Sequence, residues 1–420
     1  IFRVALEDFN IKGAVEISSN ADIRSGTGLG SSSSFTVGLL HNLHAVQGKY
    51  ALKRVLAEKA CDIEINKFFF KKEILDKSVL VIGGAGTIGS SFIRALLPFQ
   101  PKSLVVVDIN ENGLTELTRD LRSTKGMFVP SDYVTYPMSY ADSVFYKMFK
   151  SRNGFDIVAN FSAHKHVRSE KDLFSIEALI RNNIMNAKGL LDLLEEFSPK
   201  HFFCVSTDKA ANPVNIMGGS KKIMEDMIMT YSTKFPVTTA RFANVAFSNG
   251  SLPVGFLERI AKQQPISAPN DVTRYFVSPE ESGQICLLAC ILGNSGEIYF
   301  PKLKKEQVMT FSDMASKLLK EHGYEIERCD SDTEAVDKSQ DLLNGSKNYP
   351  VYYSGSDTTG EKPYEEFFTR EETTDMERHI ALGVVTNLKP RSSYELDHLI
   401  NLFEEAFNNR KTEKSDIVKI

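Results

Sequence analysis

Apolar residues in this chain fall into short runs separated by longer amphipathic stretches. Residues 78–82 are a compact apolar run that reads as a strand buried on both faces of a parallel sheet. An apolar helix over residues 90–97 follows, ended by Pro98 and Pro101. A second strand spans residues 104–107 and a helix residues 112–122. The alternation continues with strands at 155–161, 201–206 and 237–244 and helices at 175–197 and 218–235. Such repeats predict the α/β class, a doubly wound parallel sheet of Rossmann-like form. Beyond Val245 the alternation decays. A strand at 297–300, a helix at 310–322, a polar loop at 331–346 and a final helix at 393–408 predict a smaller irregular lobe over the carboxyl edge of the sheet. The expected division is therefore 77–250 for the sheet domain and 251–420 for the lobe and C-terminal helices.

Residues 1–68 read as a separate appended α+β piece, with residues 69–76 as the join. The run Phe68-Phe69-Phe70 before Lys71-Lys72 is too short for a stable membrane anchor and suits a short amphipathic element. Within the piece, a glycine-serine loop, IRSGTGLGSSSS, opens an apolar helix, an arrangement suited to cradling an anion.

Between the first strand and helix of the sheet domain lie Gly83, Gly86 and Gly89. Glycines are required where a tight turn lets a pyrophosphate approach bare N–H groups at a helix N-terminus. Asp108 ends the second strand nineteen residues beyond Gly89, placed to accept hydrogen bonds from the hydroxyls of an adenosine ribose. Strand, glycines, helix, strand and acid in that order predict a dinucleotide site. A carboxylate there repels a 2′-phosphate, which favours NAD, with NADP the alternative.

The chain has 420 residues, 42% of them hydrophobic and 25% charged, with a net charge of −4. That balance argues against a nucleic-acid partner. No run approaches the ~18 apolar residues of a membrane span, and no secretory signal pattern is visible. The five cysteines are scattered; Cys286 and Cys290 share a helix face without the acids or histidines of a metal site. No metal and a cytoplasmic location are the expectations.

Ligands of such sheets bind beyond the carboxyl ends of the strands. Polar residues gather there: Ser162, Ala163, His164, Lys165 and His166 after one strand, Ser206, Thr207, Asp208 and Lys209 after the next, and Arg241 to Asn244 after the last. Asp208 and Lys209 can supply an acid and a base to one substrate, or form a solvated turn. Met217 and Lys221, four apart, share one helix face.

The segments GGAGTIGSSF, VVVDINENGL, SAHKHV, STDKAANPVNIMGGSKK, RFANVAFSNGS, TRYFVSPEE and SDTTGEKPYEEFF resemble the extended short-chain dehydrogenase/reductase family, in its bacterial polysaccharide-biosynthesis branch of UDP-N-acetylglucosamine 4,6-dehydratases. The resemblance covers roughly residues 77–368. It implies an NAD(P)-dependent lyase that oxidises C4 of a UDP-N-acetylhexosamine, eliminates water across C5–C6 and returns the hydride to C6. It implies cofactor contacts from Gly83, Gly86, Thr87, Ile88, Gly89, Asp108, Ser162, Ala163, Lys165 and Lys221. Lys209 would be the C5 base, Asp208 the acid for water loss, and Thr207 a partner of the sugar O4. His166, Arg241, Asn244 and Arg274 would contact the UDP-sugar; Arg241 could instead be a buried structural ion. Many relatives have Tyr where Met217 stands, and a thioether cannot take the C4 hydroxyl proton. The resemblance also implies a homo-oligomer, and an epimerase is the rival within the family. GLGSSSSFTVGLLHNL is similar to the phosphate loop of the GHMP sugar kinases, through Gly28, Gly30, Ser31, Ser32 and Ser33 and on to Asp62 and Glu64, where the likeness stops. A kinase fragment, a non-catalytic appendage, is the expected reading; sugar-phosphate kinase activity of residues 1–68, or a cofactor-binding protein without turnover, are the alternatives of another class.

Overall fold

A computed structural model describes residues 67–165, 170–303, 308–355, 365–379, 381–409 and 411–420. The kinase-like phosphate loop, His166, and Glu361 and Lys362 of the EKPYEE motif lie outside the described residues. The chain divides into two compact units, Ile1–Leu75 and Asp76–Ile420. In the first, Lys67–Ile74 is a helix on which Phe70 and Ile74 are buried and Lys71 and Lys72 exposed.

The second unit contains fifteen described strands. In chain order they are β1 (Ser78–Ile82), β2 (Ser103–Asp108), β3 (Asp132–Pro137), β4 (Ile157–Asn160), β5 (His201–Val205), β6 (Val237–Ala240), β7 (Asn244–Val245) and β8 (Ile266–Pro269). There follow β9 (Thr273–Val277), β10 (Glu297–Pro301), β11 (Val308–Thr310), β12 (Glu325–Cys329), β13 (Asn348–Ser354), β14 (Thr373–Asp375) and β15 (Leu382–Thr386). Nine form one sheet in the order β14-β15-β10-β6-β5-β4-β1-β2-β3. The seven from β3 to β10 are parallel, and β15 and β14 close one edge antiparallel. The chain order reverses between β1 and β4, which opens the crevice where ligands of such sheets bind.

Period-two alternation divides the strand side chains between two layers of helices. Leu80, Ile82, Val105 and Val107 face a core completed by the helices Ser143–Ser151, Leu173–Ile180, Asn186–Glu196, Ile216–Tyr231 and Ser393–Asn408. The opposite face carries the helices Thr87–Leu96 and Pro279–Leu292, which pack on each other. Their contact is backbone to backbone. A Cβ on Gly283 would lie 2.3 Å from the carbonyl carbon of Ser91 and 2.4 Å from its oxygen.

Residues beyond 250 contribute to both the main sheet and the lobe. Pro279–Leu292, β10, β14 and β15 return to the main sheet. All five residues of β10 are buried, so this strand needs cover on both faces, and the sheet beside β6 supplies it. The lobe is left with two three-stranded sheets, β11-β9-β7 and β12-β13-β8, over a small core of Phe256, Ile266, Leu319, Tyr349 and Val351. The polar stretch 331–346 is helical, not a loop, over Asp332–Lys338 and Gln340–Leu343. Ser331 caps it by accepting the Glu334 N–H, while only Ala335 and Leu342 are fully buried apolar residues, too few for an apolar stripe to be visible.

Gly283→Val should therefore cost ~1–3 kcal/mol by overpacking. Urea denaturation should show a lower midpoint at unchanged slope.

Candidate functional site

The loop after β1 is built for close approach. Gly83 has φ +75°, and a Cβ on it would lie 2.8 Å from the Ser162 nitrogen. A Cβ on Gly89 would lie 2.4 Å from the Gly83 carbonyl oxygen. Gly86 meets nothing closer than 3.4 Å, and no side chain caps the helix it opens. No side chain takes the N–H groups of that first turn, which fits an anionic pyrophosphate. Asp108 ties loop to strand: Oδ2 accepts the Ala85 N–H at 3.0 Å and Oδ1 the Asn110 N–H at 2.9 Å. Its remaining lone pairs suffice for ribose hydroxyls. Thr87 Oγ1 accepts the Asn249 N–H at 2.9 Å, and Lys165 Nζ donates to the Asn249 carbonyl at 3.1 Å. One loop therefore links the helix start to the end of β4; Ile88, Ser162 and Ala163 lie half-buried beside it.

His164 is held by its backbone. Its N–H donates to Asn183 Oδ1 at 2.9 Å, and its carbonyl accepts from Asn183 Nδ2 at 3.0 Å. Asn183 is buried within a π-helical turn, Arg181–Met185, that interrupts the long helix after residue 173. Sequence reasoning passed over this residue; its one signal is a polar pair, Asn182-Asn183, inside an apolar helix. The protein around His164 and Lys165 lowers both pKa values by desolvation, although solvent still reaches both side chains.

A 3₁₀ turn, Asp208–Ala210, follows β5. It is no solvated turn: Asp208 is 5% exposed, and its N–H donates to the Phe242 carbonyl at 3.1 Å. Thr207 Oγ1 donates to Asp208 Oδ1 at 2.8 Å, and Lys209 Nζ lies 3.3 Å from the same oxygen. Lys221 is buried, its Nζ donating to the Val205 carbonyl at the end of β5, and burial lowers its pKa. Met217 is buried in the helix layer, its N–H donating to Glu170 Oε1 at 2.7 Å.

Arg241, expected to contact substrate, is a structural ion. It is fully buried, and its five N–H donors are all spent. Nε and Nη2 reach the two oxygens of Glu225 at 2.9 and 2.7 Å. Nη1 and Nη2 reach those of Glu372 at 2.7 and 2.8 Å, and Nη1 also reaches the Phe367 carbonyl at 2.9 Å. No donor remains for a ligand. Its work is to lock residues 365–375 to the end of β6, helped by Phe367 and Phe368 packing on Phe300 of β10.

That lock delivers a site residue absent from the sequence reading, Glu365. Its carboxylate accepts from Asn244 Nδ2 at 2.8 Å and the Tyr275 N–H at 3.2 Å, with Arg274 Nε at 3.9 Å. Burial, then the negative charge of Asp208, raises its pKa to about 7, while Arg274 opposes the rise. Thr207, Asp208, Lys209, Asn244, Arg274 and Glu365 thus form one polar group beyond β5 to β9. Gly83, Gly86, Thr87, Gly89, Asp108, Ser162 and Lys165 surround the crevice between β1 and β4. Among the described residues no cluster could hold a metal ion, and Cys204, Cys286, Cys290 and Cys329 are free and buried.

This sheet, its glycine loop and the polar rim after β5 define an extended short-chain dehydrogenase/reductase. Within that class, residues 79–386 match the family of polysaccharide biosynthesis proteins, and the chain belongs to it. The uncharacterized membrane protein MJ1061 of Methanocaldococcus jannaschii is 29% identical over 310 residues, covering 72% of this chain and 83% of its own. The capsular polysaccharide biosynthesis protein CapD of Staphylococcus aureus is 26% identical over 369 residues, 84% of this chain and 54% of its own, so the chain spans about half of that relative. A UDP-N-acetylglucosamine 4,6-dehydratase (inverting) of Campylobacter jejuni is 26% identical over 243 residues, 55% of this chain and 69% of its own. Among solved structures, Pen from Bacillus thuringiensis shares the fold with a TM-score of 0.61 at 22% identity, over 79% of this chain and 98% of its own. Among the described residues no helix is long and apolar enough to cross a membrane.

Arg241→Met should cost ~3–5 kcal/mol, because Glu225 and Glu372 would be left buried without their cation. Chemical denaturation of the variant checks this.

Proposed function

We propose that the chain is an NAD-dependent nucleotide-sugar 4,6-dehydratase acting on UDP-N-acetylglucosamine or a close UDP-N-acetylhexosamine, in the biosynthesis of surface polysaccharide or glycan. The observation that carries this is the hydrogen-bonded Thr207–Asp208–Lys209 group at the end of β5, with Asp208 buried, two strands from the glycine loop of β1. The Campylobacter relative's name supports it. The same reading makes the protein a cytoplasmic homo-oligomer.

Bound NAD would supply the hydride chemistry of the cycle. Gly83, Gly86 and Gly89 would admit its pyrophosphate to the helix terminus, and Asp108 would hold its adenosine ribose. The chain's own residues move the protons. Thr207 Oγ1 accepts the O4 proton of the sugar and passes its own to Asp208 Oδ1, its hydrogen-bond acceptor. This relay replaces the phenol that Met217 lacks. Asp208, now protonated, gives that proton to the departing C6 hydroxyl, which leaves as water. Lys209 sheds the proton of its ion pair to solvent before the reaction; its neutral amine then removes the C5 proton and returns it to C5 as C6 receives the hydride. The sum is loss of one water, with the cofactor restored.

Incubation with UDP-N-acetylglucosamine should give a product lighter by one water, a 4-keto-6-deoxy sugar by NMR. Asp208→Asn and Lys209→Gln should each lower kcat by about 10²–10⁴-fold. Unchanged mass from folded protein overturns the proposal, and unchanged mass with one inverted centre makes the enzyme an epimerase.

A further inference from the structure

Two ion pairs stand at the rim, Asp208 with Lys209 and Glu365 with Arg274. Their carboxylates are held differently. Asp208 takes hydrogen bonds from a hydroxyl and an ammonium, Thr207 Oγ1 at 2.8 Å and Lys209 Nζ at 3.3 Å. Glu365 takes its hydrogen bonds from neutral donors, Asn244 Nδ2 and the Tyr275 N–H. Arg274 stands off at 3.9 Å and gives Nη1 to the Thr273 carbonyl. The Glu365 side chain is only 3% exposed. Among the described residues, the charged groups facing it are Asp208 from the turn after β5 and Arg274 from β9; β7 contributes only the neutral Asn244. Glu365 thus has a weak hold on its charge, in keeping with its elevated pKa.

A nucleoside diphosphate brings further negative charge to this rim. We propose that Glu365 is a further residue of the substrate site, the carboxyl that takes up a proton as the diphosphate draws Arg274 onto its phosphate oxygens. The inference rests on the nucleotide-sugar reading above. A forked guanidinium pairs more strongly with phosphate oxygens than with a carboxylate 3.9 Å away. Once Arg274 turns, an ionised Glu365 would be buried beside Asp208 without its countercharge, and protonation removes that cost. The neutral carboxyl still accepts from Asn244 and gains an O–H donor. The complex then carries more protons than the free protein, so affinity for the diphosphate falls as pH rises through the free-protein value of about 7.

The test is calorimetric titration of the full chain with UDP at about pH 7.5, in buffers of different ionisation enthalpy. The wild type should take up about 0.3 to 0.8 more proton per UDP than Glu365→Gln does. The terminal phosphate of UDP titrates with both proteins, so the difference is the readout. Binding of UDP by the amide variant shows that the site is still folded. Equal proton uptake by the two proteins overturns the inference while leaving the nucleotide-sugar reading standing. Should the variant not fold, wild-type uptake must peak between about pH 7 and 8 and fade near pH 5, where Glu365 is already protonated; a profile without that peak overturns the inference. No UDP binding by the wild type overturns both.

Discussion

The guanidinium of Arg241 is the fixed point between the parallel sheet and the C-terminal segment that completes its rim. Five donors meet five oxygens with no exposure to water, an arrangement in which any lost partner leaves a charge stranded. Glu225 reaches it from the helix Ile216–Tyr231 and also accepts the Ser206 hydroxyl at 2.6 Å. Glu372 and the Phe367 carbonyl reach it from the far end of the sequence. The ion cluster therefore holds together, in one place, the end of β5, the helix carrying Met217 and Lys221, and the segment carrying Glu365. A purely apolar contact would hold these pieces with less angular definition. The forked geometry fixes where the backbone of residues 365–372 runs, and so where the carboxyl of Glu365 ends.

Much of this architecture is legible in the residue pattern, for a physical reason. Strands buried on both faces, such as VLVI and LVVV, must be continuous apolar runs, and helices between them must be amphipathic. The glycine loop is equally readable, since two of its three glycines occupy positions that no other residue can fill. What escapes is whatever depends on distant pieces of chain meeting. β10 looks like any short apolar strand, and only its pairing with β6 shows that it belongs to the main sheet. Arg241 lies at a strand end, where ligand contacts are expected, yet side-chain direction at a strand end is not written in spacing. Its alternative reading as a structural ion is the one that holds. Glu365 is hidden for the converse reason: the residue pattern around it has no strand or helix period, and its partners lie about ninety or more residues away.

The methionine at 217 gains a context in the structure. It is packed into the apolar helix layer, and its backbone N–H is taken by Glu170. A chain of exchangeable protons instead runs along the turn after β5, from the Thr207 hydroxyl to Asp208. In the proposed reaction this economy matters. The proton released on oxidation at C4 is the proton needed for water loss at C6, so one carboxyl serves both events and no exchange with solvent is required between them.

The π turn at Arg181–Met185 has a consequence for the length of the chain. On either side of it, Ile176, Leu179 and Ile180, then Ala187, Leu190 and Leu191, all point into the same core. Between them Asn183 also points inward, to grip the loop at His164. These positions recur every three or four residues, so one seam of the helix carries both the apolar packing and the amide. Deleting a single residue from this stretch would leave a perfectly good helix by propensity. It would also rotate one flank by about 100° relative to the other, setting apolar packing against the grip on the loop. The segment therefore tolerates exchange of residue types far better than it tolerates any change in their number.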